Sequence, residues 1–67
     1  MRYSLVVPVY NNLTTIEPTC EMIRSAFADS GQDYEILFVD DNSLDGSGEA
    51  INAISRNDNR VRYFRLD

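Results

Sequence analysis

Lysine, histidine and tryptophan are absent from these 67 residues, cysteine occurs once, proline twice and glycine three times. Without histidine and with one thiol, Cys20, neither a thiol–imidazole nucleophile nor an ordinary zinc site can be assembled here. A lone cysteine makes no intrachain disulfide, which fits a reducing, cytoplasmic setting. Cys20 falls on the apolar side of a predicted helix and reads as a small buried hydrophobe. All six cations are arginines, scattered among eleven acidic residues for a net charge of −5, so no clustered basic surface is offered to nucleic-acid phosphates. Arg60, Arg62 and Arg65 crowd the C-terminal stretch and read as a solvated strand edge. The apolar run from Tyr3 to Tyr10, broken by Ser4 and Pro8, is too short for a membrane span or a signal segment. Membrane association is therefore expected only through residues beyond these.

What remains is globular in composition, 43% hydrophobic, with room for one small domain. Ordering a chain of this size costs on the order of 100 kcal/mol, at roughly 1.5 kcal/mol per residue, which so small a core barely offsets. Support from further sequence or from a second subunit is expected.

The periodicity alternates between strand and helix in the order β-α-β-α-β. Tyr3 to Val7 is a β-branched apolar run expected to stop at Pro8, which cannot donate to a sheet ladder. Leu13, Ile16, Cys20, Ile23 and Phe27 then recur at helical spacing. Thr15 is the preferred N-cap, because Pro18 then falls in the tolerant first turn. Asp29 to Asp33 is a polar break whose Gly31 suits a helix C-terminus. Tyr34 to Val39 ends in four consecutive large apolar residues, the mark of a strand buried on both faces of a parallel sheet. Asp45 to Gly48 offers cap residues to a second helix with Ala50, Ile51 and Ile54 on its buried side, ending near Asn57. Val61 to Leu66 is a third strand after the Asn57-Asp58-Asn59 turn. Right-handed crossovers with strand order 3-2-1 put both helices on one face, so the other face needs a cover from a second copy or from the rest of a domain.

Open parallel sheets bind ligands beyond the carboxyl ends of their strands. Two segments end there: Pro8-Val9-Tyr10-Asn11-Asn12, and Asp40-Asp41 with the loop to Ser47. A carboxylate can accept the imide N–H of uracil or a donor edge of guanine, and Tyr10 can pack on the base. The second carboxylate can hold the loop by accepting backbone N–H groups.

Ser4-Leu5-Val6-Val7-Pro8-Val9-Tyr10-Asn11, followed at distance by Val39-Asp40-Asp41-Asn42-Ser43-Leu44-Asp45-Gly46-Ser47, resembles the opening of glycosyltransferase family 2 over essentially the whole chain. The resemblance implies a Rossmann-like α/β fragment of the A-type glycosyltransferase fold, with residues 1–67 as the N-terminal nucleotide-sugar-binding part of an incomplete domain. It implies an inverting enzyme with a UDP- or GDP-sugar donor. Pro8, Val9, Tyr10 and Asp41 would line the base and ribose site, with Asp40 supporting the loop or adding a contact. Asn12 departs from the glutamate that relatives often carry, although an amide can still donate or accept there. Tyr34 to Asp41 also resembles the polyprenyl-phosphate sugar transferases of the family. The Mg or Mn expected of the full-length enzyme is held in this family by an Asp-x-Asp motif, which these residues lack along with a general base. No catalytic or metal-ligating residue is therefore expected here, and the 67 residues alone should not transfer sugar.

Two other classes compete. Ile36 to Asn42 also resembles the first strand and acidic pair of a response-regulator receiver, but receivers carry that pair near their start, whereas here a complete βα unit precedes it. Gly46-Ser47-Gly48 lacks the third glycine of a dinucleotide fingerprint and follows the second strand instead of the first. A non-catalytic interaction module is a further reading, separable by nucleotide titration.

Overall fold

The computed structural model describes residues 2–66; Met1 and Asp67, the residue past which the metal motif was expected, lie outside the described residues. Strand β1 (Arg2–Val9), helix α1 (Leu13–Phe27), strand β2 (Asp33–Asp40), helix α2 (Ser47–Asn57) and strand β3 (Val61–Arg65) follow in that order. The sheet is parallel with β2 between β1 and β3, the order expected from the sequence. Val9 pairs with Asp40 and Asp40 with Arg65, so the carboxyl ends of all three strands finish level.

Strand pleating sends alternate residues to opposite faces. Val9 of β1, Tyr34, Ile36 and Phe38 of β2, and Val61 of β3 form one core with Ile16, Cys20 and Ile23 of α1 and Ile51 of α2. Both helices thus cover the same face. The opposite face carries Val6, Leu37, Val39 and Phe64, with Val6 64% and Phe64 50% exposed. The double-sided apolar character read from β2 is met here on one side only. At the amino end of the sheet, Phe27 stacks on Tyr34 with ring centroids 4.6 Å apart and Arg60 lies 4.4 Å over the Tyr34 ring, closing that end. Cys20 is buried, and burial pushes its thiol up against a smaller opposing effect of Arg24.

Two boundary expectations are corrected. Pro8 does not stop β1, which runs to Val9. Val9 turns its carbonyl toward β2, where it accepts Asp41 N–H at 2.9 Å, so the neighbouring Pro8 nitrogen faces away from the ladder on an edge strand and no ladder bond is lost. Helix α1 begins at Leu13 with Asn12 as N-cap, so Thr15 sits inside the first turn and Pro18 inside the helix. The early start is held by the Leu13 N–H bonded to Asp45 at 3.0 Å and by Thr15 N–H bonded to the Asn12 carbonyl at 3.0 Å. The first of these comes from 32 residues away and leaves no trace in local sequence.

Candidate functional site

Beyond the Val9–Asp40 pair the chain bends out of both strands, and Tyr10 and Asp41 are the first residues past these neighbouring ends. Asn11 and Asn42 follow, with φ of 47° and 58°. Asparagine enters this left-handed region more readily than other residues with a side chain. The Asn11 Oδ1 accepts Leu44 N–H at 2.8 Å, its own N–H donates to Ser43 Oγ at 2.8 Å, and the Asn42 Oδ1 accepts from the Arg65 guanidinium. The two loops therefore hold each other.

Adjacent carboxylates have different surroundings. Asp40 points to the helix side and is 1% exposed. Its Oδ1 accepts Ser43 N–H at 2.8 Å and its Oδ2 accepts the Tyr63 hydroxyl at 2.5 Å. Burial pushes this carboxyl up, but the hydrogen bonds from Ser43 and Tyr63 outweigh it and leave the group below the usual carboxylate range. The first turn of α2 lies over this pair: a Cβ at Gly48 would collide with the Tyr63 hydroxyl and stand 3.0 Å from its Cζ. Asp41 is exposed, and its carboxylate makes no hydrogen bond among the described residues while its N–H is tied to Val9. Tyr10 is 66% exposed. An outward acceptor beside an outward ring is an arrangement that can meet the edge and face of a planar heterocycle.

The other expected residues take supporting positions. Pro8 is exposed on the open sheet face, and the Val9 side chain is in the core. The Asn12 Oδ1 accepts Tyr10 N–H at 2.9 Å and its Nδ2 donates to Thr15 Oγ1 at 2.9 Å, so its amide orients the loop that carries Tyr10. The sequence alone assigns no role of their own to Asn11, Ser43 and Tyr63 and does not show the reach of Asp45. The only sequence signal was a matched pair of asparagines two residues after each strand end.

An open cleft of about 290 Å³ lies on the β3 side, lined by Ser43, Gly48, Glu49, Asn52, Tyr63 and Arg65 among others. It takes in neither Tyr10 nor Asp41. Its cation Arg65 is engaged by Asn42, and Glu49 would oppose an anion there. The residues present do not fit a divalent metal: among the described residues no three acidic, thiol or imidazole groups converge, and both Asp40 oxygens are committed to Ser43 and Tyr63. No helix among the described residues is long and apolar enough to cross a membrane.

The model of the family described as Glycosyl transferase family 2 matches residues 4–67. The chain is similar to an uncharacterized glycosyltransferase of Bacillus subtilis, 39% identical over 64 residues that cover 96% of this chain and 20% of that protein. It is 42% identical to glycosyltransferase GlyG of Streptococcus pneumoniae over 64 residues, with 96% and 20% covered. With dolichol-phosphate mannosyltransferase of Saccharomyces cerevisiae it shares 35% identity over 65 residues, 96% and 24% covered. The chain spans between 20% and 24% of the length of these three relatives. No solved structure gives a significant match.

Proposed function

The chain belongs to glycosyl transferase family 2, and from that membership we propose that it binds the nucleoside of a UDP- or GDP-sugar for transfer of the sugar to an acceptor. The observation that carries this reading is the outward pair Tyr10 and Asp41 on two interlocked loops at the carboxyl edge of a parallel sheet. The Asp41 carboxylate accepts the imide N–H of uracil or the donor edge of guanine, and the Tyr10 ring packs on the base. Asp40 holds the loop from below, Asn12 orients Tyr10, and Pro8 and Val9 form the floor from which the loop departs.

With a net charge of −5, these residues leave the diphosphate, its Mg or Mn and the acceptor chemistry to other parts of the protein. The reaction is read as inverting. The name of the yeast relative, a dolichol-phosphate mannosyltransferase, supports a polyprenyl phosphate as the acceptor class, and the reaction is read as taking place at the cytoplasmic face of a membrane. The open face of the sheet is covered by the rest of the domain or by a second copy, since its apolar residues stand level with a core on the other side.

Titration of the intact protein with UDP and with GDP tests the reading. One of the two binds saturably, and Asp41→Ala weakens it by about 1–3 kcal/mol, roughly 5- to 150-fold in Kd, the cost of leaving a desolvated donor unpaired. Unchanged affinity in that variant removes Asp41 from the site, and no binding of either nucleotide by the wild type removes the function.

A further inference from the structure

One side chain outside the proposed contacts bonds the first residues of both helices. The Asp45 Oδ2 accepts the N–H of Leu13, the first residue of α1, at 3.0 Å. Its Oδ1 accepts the N–H of Ser47, the first residue of α2, at 3.1 Å and the Ser47 hydroxyl at 2.5 Å. The N-cap residues of the two helices, Asn12 and Gly46, make no side-chain cap hydrogen bond of their own. A single carboxylate therefore serves two helix N-termini, where unpaired N–H groups and the helix dipole both favour negative charge. Gly46, at φ 90°, makes the turn that brings the helix start back over this carboxylate.

The connection runs onward into the candidate site. Leu13 is next to Asn12, whose amide holds Tyr10 N–H, and Asp45 is next to Leu44, whose N–H is held by Asn11. Ser43 bonds both Asn11 and the buried Asp40. We infer that Asp45 is a positioning residue for nucleotide binding, a clamp that fixes the loop of Tyr10 against the loop of Asp41. This rests on the reading that Tyr10 and Asp41 contact the base. A purely local cap would act on α2 alone; the bond to Leu13 crosses between the two βα units and makes the spacing of ring and carboxylate depend on Asp45. Hydrogen bonding from Ser47 holds the Asp45 carboxyl below its ordinary range, so the clamp carries its charge at neutral pH.

Two variants of the intact protein separate the clamp from simple folding. Asp45→Asn keeps the size but has one acceptor oxygen where the carboxylate has two, and Asp45→Ser can still cap α2 but is too short to reach Leu13. Hydrogen exchange without ligand is expected to accelerate across residues 10–15 in both variants, and across 42–48 as well in Asp45→Asn, with the circular dichroism spectrum of the wild type. Acceleration confined to 42–48 would overturn the clamp. In nucleotide titrations each variant is expected to lose roughly tenfold affinity, and that loss is expected to shrink below about threefold in a Tyr10→Ala background, as coupled residues do. Equal losses in both backgrounds would show that Asp45 does not act through Tyr10 and would likewise overturn the inference. If the wild type binds neither UDP nor GDP, the functional reading fails, while the exchange measurement still decides whether the loops are clamped.

Discussion

The Asp40 carboxylate is buried under the first turn of α2 with Ser43 on one oxygen and Tyr63 on the other. Removing the phenol leaves a buried charged acceptor short of a donor, so Tyr63→Phe is expected to cost about 1–3 kcal/mol in urea denaturation. Gly48→Ala drives a methyl into the same phenol and is expected to cost about 1–3 kcal/mol. Because the Phe variant removes the atom that the new methyl meets first, the double variant should be less destabilised than the sum, which a double-mutant cycle measures. Acid tests the carboxylate itself. The folded Asp40 group titrates below its unfolded value of 3.8, so the unfolded chain binds the proton more readily. The stability it confers is present above about pH 4 and is lost as pH falls through the lower folded value. A urea midpoint that does not fall as the pH is lowered from above the unfolded value through the folded titration would contradict the assignment.

At the scale of elements, α1 carries Pro18 well inside its length. An interior proline lacks the N–H owed to the carbonyl four residues back and crowds it, so Pro18→Ala is expected to stabilise the protein by about 1–3 kcal/mol, read as a higher denaturation midpoint. No gain would mean that the helix bends to accommodate the ring at no cost. The amphipathic stripe of Ile16, Cys20 and Ile23 was plain in the sequence because it repeats along one segment. The start of the helix was not, because Asp45 supplies its capping acceptor from the other βα unit. The end of β1 was misplaced for a related reason: whether proline breaks a strand depends on which way its nitrogen faces, and only the pairing with β2 decides that.

For the molecule as a whole, one apolar sheet face lies open while the other carries both helices. Prepared alone, the 67 residues are expected to self-associate in sedimentation equilibrium and to bind an apolar dye, since Val6 and Phe64 stand exposed beside Leu37 and Val39. A stable monomer that binds no dye would show that this face needs no cover. The same preparation is expected to transfer no sugar from UDP- or GDP-sugars in a radiolabel assay; measurable transfer would place the catalytic groups within these residues.

The residue order by itself determined the α/β class and the parallel three-stranded sheet, and it pointed to a candidate site after the first two strands, because periodicity and strand-end chemistry are local along the chain. It also carried the family, through the two motifs after those strands. Which carboxylate faces the core and which faces out was decided by the pleat of β2 acting with the Tyr63 hydroxyl, which lies beneath Gly48 and bonds Asp40 across 23 residues. The joining of the two loops through Asn11, Ser43 and Asp45 was decided only in three dimensions, because those bonds span 32 and 33 residues and pair side chains with backbone groups that no local pattern marks. The Asp40-Asp41 pair was legible as chemistry; its division into a buried, hydrogen-bonded carboxylate and an outward one belongs to the fold.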